Sequence, residues 1–569
     1  MPDGFSRRKC FLVFLYGLLF HRHSEQKLAK DAKVSDVCVR TVGYDKRSAG
    51  IPLSELPATW YAGASLVKPY GALSDFDVWS VIEVSSNQQV VTVPKIPETI
   101  AFASVREIGR RLRADDFSCV ELAVFFLGRL KTIGPKLNAV ATVTHELAVQ
   151  QAKQADLELK AGKERGPLHG IPYGVKDLLA TEGIPTSWGA APFRDRIIDA
   201  DSTVVARLRE AGAVLIGKLA MVEIAGGLGY RQANASFTGP GLNPWDTSRW
   251  AGGSSSGPGS AVGGGLVPFA IGSETWGSIM TPAGFCGISG LRPTYGRVSR
   301  HGAMALAWTV DKLGPMCRTA DDCGIVLNAI AGEDPADESC VDRSYEYPLK
   351  EQPGKKEASE RYKVATLKDS AKSVQPEVRA NYDESLTVLR KFCEIEEVEL
   401  PDFPWTAVAS TLINCESAAA FEGLISTGDI WEMTAKEDHW GIHAAMVIPA
   451  KDYINAMRIR SKMQHAIDSF LKPFDAVVTP TLATTAYPND RPWGEHRRGF
   501  HSSQITNLGG AGAATGIPAL SIPNGLGEGG LPTGLQLAGR TFSENKLVEI
   551  ANRYQEATDF HKATPQPLG

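Results

Sequence analysis

From residue 104 onward, apolar positions recur every three or four residues, and hydroxyl residues open the first two runs. Ser104 is followed by Glu107, and Ser118 by Glu121, the spacing at which a hydroxyl and a carboxylate satisfy each other's free backbone donors at a helix start. A third helix is predicted over 144–161, where Ala148, Ala152, Ala155 and Leu159 share one small apolar face. Short apolar runs then alternate with helical ones. Strands are predicted at 170–175, 213–216, 362–367, 394–400, 474–479, 519–522 and 534–537, and helices at 202–212, 319–332, 376–392 and 543–558. Strands that lack polar alternation are buried on both faces. The pattern therefore predicts an α/β fold with a sheet covered by helices on both sides. Residues 1–100 stand apart as an N-terminal extension, in which 77–94 alternates around Ser85, Ser86 and Asn87 like two strands joined by a turn.

Composition narrows the function more than the fold. Of 569 residues 43% are hydrophobic and 22% charged, enough for a large core, and the net charge of −4 offers no basic face for nucleic acid. Nine cysteines with no Cys-x-x-Cys pair argue against a disulfide framework and against structural zinc. The 56 glycines exceed the usual share of about 7% and concentrate between Gly226 and Gly302, which suits a site built from loops. Near the N-terminus, Arg7, Arg8 and Lys9 precede an apolar run over 10–20, shorter than the ~20 residues a membrane span needs. The signal-like segment 7–20 has the basic and apolar regions of a secretory signal, but no small-residue cleavage site follows it. Cytoplasmic and exported locations both stay open. No other stretch is apolar enough for a membrane helix.

Three segments carry the candidate chemistry. Gly252-Gly253-Ser254-Ser255-Ser256-Gly257 and Glu274-Thr275-Trp276-Gly277-Ser278-Ile279 set serines beside glycines, where the hydroxyl is unhindered and backbone N–H groups can point at a substrate oxygen. Upstream, Gly170-Ile171-Pro172-Tyr173-Gly174-Val175-Lys176-Asp177 is an apolar extended run that ends in a lysine. Taken alone, Lys176 reads as a residue snorkelling from a sheet edge, with Asp177 as its ion-pair partner. Taken together, the three segments resemble the amidase signature family, which cleaves amide and related acyl bonds with a Ser–Ser–Lys triad. Further matches run through 287–300, 311–315, 474–480, 516–523 and 530–540, so the resemblance covers roughly 100–562. It implies a single domain over 101–562 built on a large mixed, twisted sheet with helices on both faces.

The resemblance also implies a role for each residue. Ser278 corresponds to the nucleophile, and the backbone amides of Thr275, Trp276, Gly277 and Ser278 to the oxyanion hole. Ser254 lies 24 positions before Ser278, follows a cis peptide bond in the family, and corresponds to the proton relay. Ser255 supports that loop. Lys176 corresponds to the base, which must be neutral near pH 7; burial brings a lysine there and cannot do so for an arginine. Neither metal nor organic cofactor is implied. The chain departs from the family pattern at Glu274 (usually Asp), Trp276 (usually Gly) and Met280 (commonly Arg). Trp276 is expected to set its indole beside the acyl site and narrow it, and Pro258 to stiffen the serine loop.

Other readings are weaker. Gly253-Ser254-Ser255-Ser256-Gly257 spells a G-x-S-x-G elbow, but that elbow follows a strand, and 243–251 reads as a loop. Cys286 reads as a buried packing residue, and His169 and His301 as structural. The expected substrate is a small amide, ester or carbamate, with no nucleic-acid partner, and the resemblance is compatible with a homodimer. Two alternatives stand beside a free-standing hydrolase: the glutaminase subunit of a tRNA-dependent amidotransferase, and a catalytically silent scaffold. Trp188, Phe193, Tyr230, Phe237, Trp245 and Trp308 flank the motif loops and read equally as pocket lining or core.

Overall fold

The structure, a computed structural model, describes residues 96–227, 229–348 and 361–566. The signal-like segment and the strand pair expected over 77–94 lie outside the described residues. The strands, in chain order, are β1 (Val140–Val143), β2 (Pro172–Lys176), β3 (Val214–Leu219), β4 (Leu242–Asn243), β5 (Asp246–Trp250), β6 (Phe269–Glu274), β7 (Ser289–Arg292), β8 (Lys312–Cys317), β9 (Tyr362–Leu367), β10 (Cys393–Val398), β11 (Ala476–Pro480), β12 (Ala519–Leu526) and β13 (Pro532–Ala538). All but β4 and β5 join in one 11-stranded sheet, ordered β1-β3-β2-β6-β8-β7-β12-β13-β11-β9-β10. The sheet is mixed. β3, β2 and β6 run parallel, as do β11, β9 and β10, while antiparallel pairs link β6 through β8, β7, β12 and β13 to β11. Every residue of β2, β3, β6, β7 and β8 is buried, so helices cover both faces at the centre.

Helix starts follow the local chemistry. Ser118 and Glu121 form a complete capping box on the helix Cys119–Thr132. Ser104 caps Val105–Arg113 with its hydroxyl alone, because Glu107 turns to pair with Arg110 instead of reaching back. Thr319 caps Ala320–Ile330 by accepting from the Asp322 amide, whereas Ser202 makes no cap bond at the start of Thr203–Glu210. Ala148, Ala152 and Ala155 are buried on His145–Lys160, as their spacing requires. The pattern of apolar positions does not announce the strands β6, β7 and β8 or the helices Trp405–Ala420, Ala450–Leu471 and Ser503–Thr515. Glycine-rich and small-residue runs such as 503–515 carry little periodic contrast, so packing rather than amphipathicity makes them helical. Among the described residues, no helix is long and apolar enough to cross a membrane.

Candidate active site

β2 and β6 are parallel neighbours, with Val175 opposite Ile271, so their C-terminal ends open at the same edge of the sheet. Lys176 ends β2, and Ser273 and Glu274 end β6. The loop 275–279 leads from β6 straight into the helix Met280–Cys286. The serine loop precedes the helix Ser256–Gly263, which leads back into β6. Pro258 falls in that helix's first turn, where its missing N–H costs nothing. Gly252 has φ +88°, and a Cβ there would lie 2.8 Å from the Pro282 backbone, so only glycine lets the two helix starts approach this closely. The Gly253–Ser254 peptide bond is cis.

These elements bring the three predicted residues together. Lys176 Nζ lies 2.7 Å from Ser254 Oγ, and Ser254 Oγ lies 2.9 Å from Ser278 Oγ. Lys176 and Ser254 are fully buried, and Ser278 is 7% exposed. Lys176 does not pair with Asp177. That carboxylate instead meets Lys218 Nζ at 3.2 Å and accepts from the Ser187 amide at 3.0 Å. Burial pushes the Lys176 amine well below the ordinary lysine value, against the opposing pull of Asp311 and Glu274.

A further hydroxyl, not evident from the sequence, completes the lysine's surroundings. Ser273 Oγ lies 2.8 Å from Lys176 Nζ, and the Ser255 hydroxyl grips the Ser273 backbone, donating to its carbonyl and accepting from its amide. The available signal was a serine ending an otherwise apolar run, Phe269 to Gly272, which is too short and glycine-broken to mark itself as a strand. Lys176 is thus held between two hydroxyls from two adjoining segments.

The loop 275–278 is anchored from several sides. Glu274, fully buried, receives Arg292 at 2.7 Å on one carboxylate oxygen and the amides of Ile279 and Met280 at 2.8 and 3.0 Å on the other. Burial would raise this carboxyl, but the Arg292 charge and hydrogen bond outweigh it and hold the group below its usual value. The Thr275 hydroxyl donates to Asp311 at 2.6 Å, and Lys312 Nζ stands 3.4 Å from the Thr275 carbonyl. Burial and the Arg292 charge push the Lys312 amine down to about 7. Gly277 adopts φ +81°, and among the described residues the amides of Trp276, Gly277 and Ser278 donate to no protein acceptor. They are free to meet one oxygen.

The Trp276 indole is partly buried and reaches away from the loop at its Nε1. Its Nε1 packs against the helix Ser503–Thr515, where a side chain on Gly509 would begin 2.9 Å away. A cleft of about 190 Å³ descends beside the loop to Ser273, Thr275 and Asp311. Of the six flanking aromatics, Trp308 alone lines it. Trp188 and Phe193 stack with Arg196, Phe237 lies under Arg194, Tyr230 packs on Trp250 and Trp493, and Trp245 donates to the Cys286 carbonyl. Cys286 is buried with its thiol pushed up by burial, and its Sγ points to the Ala251 carbonyl. His169 is buried against Glu158 at 3.2 Å, while His301 stands at the exposed rim of the cleft.

The family model described as Amidase matches residues 121–548. The chain belongs to the amidase family. Among curated relatives of this chain, the A subunit of the glutamyl-tRNA(Gln) amidotransferase from Carboxydothermus hydrogenoformans is 33% identical over 491 residues, which cover 82% of the chain and 99% of the relative. Among solved structures, the peptide amidase of Stenotrophomonas maltophilia is 29% identical with TM-score 0.68, covering 82% of the chain and 98% of that protein. The A subunit of the glutamyl-tRNA(Gln) amidotransferase from Thermotoga maritima is 26% identical with TM-score 0.67, covering 83% and 99%.

Proposed function

We propose that this amidase hydrolyses carboxamide C–N bonds through an acyl-enzyme on Ser278. The observation that carries the reading is the unbroken, buried line Lys176 Nζ–Ser254 Oγ–Ser278 Oγ, at 2.7 and 2.9 Å. Neutral Lys176 takes the Ser254 proton as Ser254 takes that of Ser278, and the Ser278 oxygen bonds to the scissile carbonyl carbon. The developing oxyanion meets the amides of Thr275, Trp276, Gly277 and Ser278; each such donor is worth about 3–4 kcal/mol of barrier. As the C–N bond breaks, the proton returns through Ser254 to the leaving nitrogen. Water then attacks the ester carbonyl, giving its proton to the same relay, and Ser278 is released with the carboxylic acid. Ser255 and Ser273 keep Ser254 and Lys176 in register. Esters and carbamates present the same carbonyl and are accommodated by the same steps. The domain that carries this chemistry spans 101–562, with residues 1–100 as an extension.

The curated relatives' names support a second reading better than they support a free-standing amidase. Those proteins are A subunits of a glutamyl-tRNA(Gln) amidotransferase, and in that reading the same site releases ammonia from glutamine for a partner protein. One experiment tests the shared chemistry. A fluorophosphonate probe is expected to label the purified chain at Ser278, and Ser278→Ala to lose both label and amide turnover. Wild-type turnover in the alanine variant would refute the assignment, and absence of label in the wild type would favour a silent scaffold.

A further inference from the structure

Resting on the proposed chemistry, a second buried lysine acquires a use. Lys312 opens β8 opposite Glu274 in the antiparallel pairing with β6, and its side chain is buried. Among the described residues its amine makes one hydrogen bond, to the Thr275 carbonyl at 3.4 Å, and no other side chain donates to that oxygen. The neighbouring carboxylates are engaged with other donors. Glu274 accepts from Arg292 and from the amides of Ile279 and Met280. Asp311 accepts from the Thr275 hydroxyl and from the amides of Leu306 and Ala307.

The Thr275 carbonyl shares a peptide unit with the Trp276 N–H, one of the donors assigned to the oxyanion. That unit is trans, so its oxygen and its hydrogen point in opposite directions. A donor reaching the oxygen from β8 therefore fixes where the hydrogen points. It also draws electron density towards the oxygen, which strengthens the N–H as a donor. An ammonium does both better than a neutral amine, because charge-assisted hydrogen bonds are about twice as strong.

Four charged groups face the Lys312 amine. Arg292 on β7 and Arg460 on the helix Ala450–Leu471 disfavour its charge, while Glu274 on β6 and Asp311 on its own strand favour it. Burial and Arg292 prevail and bring the amine down to about 7. Burial lifts the Asp311 carboxyl, against its hydrogen bonds from Thr275, Ala307 and Leu306.

We infer that Lys312 is a positioning residue whose ammonium orients and polarises the Thr275–Trp276 peptide, so that the oxyanion is held best while Lys312 is charged and Lys176 is neutral. The test follows fluorophosphonate labelling of Ser278 in the full chain, as kinact and KI between pH 5 and 9. Wild type, Lys312→Met and Lys312→Arg are compared, with circular dichroism reporting the fold. At pH 6, Lys312→Met is expected to lower kinact at least about tenfold at unchanged KI, part of the 10²–10³ that losing one oxyanion donor outright costs. At pH 9 the gap should close to about threefold or less, because the wild-type amine has lost its charge there. Lys312→Arg, charged throughout, should restore kinact at pH 6 and hold it at pH 9. A methionine variant equal to wild type at pH 6 overturns the inference. So does an equal deficit at both pH values, or a change confined to KI, since packing alone would give either. Should Lys312→Met not fold, the wild-type profile decides, and a kinact that never turns down up to pH 9 overturns the inference. Each of these outcomes with Ser278 labelled leaves the proposed chemistry standing. A wild type that takes no label overturns both.

Discussion

The buried pair Glu274–Arg292 ties the loop 275–279, the proposed oxyanion loop, to the sheet, and its removal should be felt in both stability and turnover. Glu274 Oε1 meets Arg292 at 2.7 Å while Oε2 takes the Ile279 and Met280 amides, so one carboxylate serves three donors. Arg292 directs its other N–H groups to the Ile517 carbonyl, at 3.2 and 3.0 Å. In Glu274→Gln the amide has one acceptor oxygen, and its NH₂ must face a donor. The arginine is then left buried without a counter-charge, which costs about 3–5 kcal/mol. Arg292→Met strands the carboxylate instead and should cost a similar amount. The double variant removes both charges and should recover at least about 1.5 kcal/mol of the summed loss. Urea unfolding of the four proteins, followed by circular dichroism, measures this cycle. Single variants within about 1 kcal/mol of wild type, or strictly additive losses, would refute the argument. The pair also bears on pH: because the folded Glu274 carboxyl is held low, its stabilisation is present above the unfolded carboxylate pKa and is lost as acid takes the pH down through the folded value.

Three other substitutions probe separate parts of the molecule. Lys176→Met should lower kcat by about 10²–10⁴ without loss of stability, because the wild-type amine is buried against its preference for charge. The unfolded chain binds more protons between the depressed folded pKa and the ordinary lysine value, so wild-type stability should rise with pH across that window, and the methionine variant should lack the rise in melting curves. Asp438 is buried beside Glu223 with its carboxyl pushed well up by burial and by that neighbour, so the stability it contributes is present below the unfolded carboxylate pKa and lost as pH rises through the folded one. Asp438→Asn should flatten that decline in melting temperature, and a steeper decline would contradict the assignment. Gly509→Ala would set a methyl 2.9 Å from Trp276 Nε1 and should cost about 1–3 kcal/mol through overpacking, with kcat falling because Trp276 belongs to the proposed donor loop; unchanged stability and kcat would show that the indole yields freely.

Much of the site was legible in the chain. Lys176, Ser254 and Ser278 were singled out through the family resemblance, whose spacing of 24 residues between the two serines pointed to Ser254 among three neighbouring hydroxyls. The fold brings the three side chains within hydrogen-bond distance. Ser273, Lys312 and Glu274's partner Arg292 were not legible, because each acquires its neighbour across the sheet. Parallel pairing of β2 with β6 brings Ser273 to Lys176, and antiparallel pairing of β6 with β8 sets Lys312 opposite Glu274. Trp276 shows the same limit: nothing near it in the chain foretells that its indole meets Gly509, far along the sequence.

Alternating apolar runs and helix caps by themselves determined an α/β layering, since strands buried on both faces need helices above and below. They also determined which residues stand at strand ends and in glycine-bracketed turns, because backbone conformation and hydroxyl access are local properties. Strand order, the state of Lys176 and the character of the cleft were decided only by the tertiary structure. A lysine's charge depends on what excludes water from it, and an acid or guanidinium is available to a ligand only if distant segments leave it unpaired.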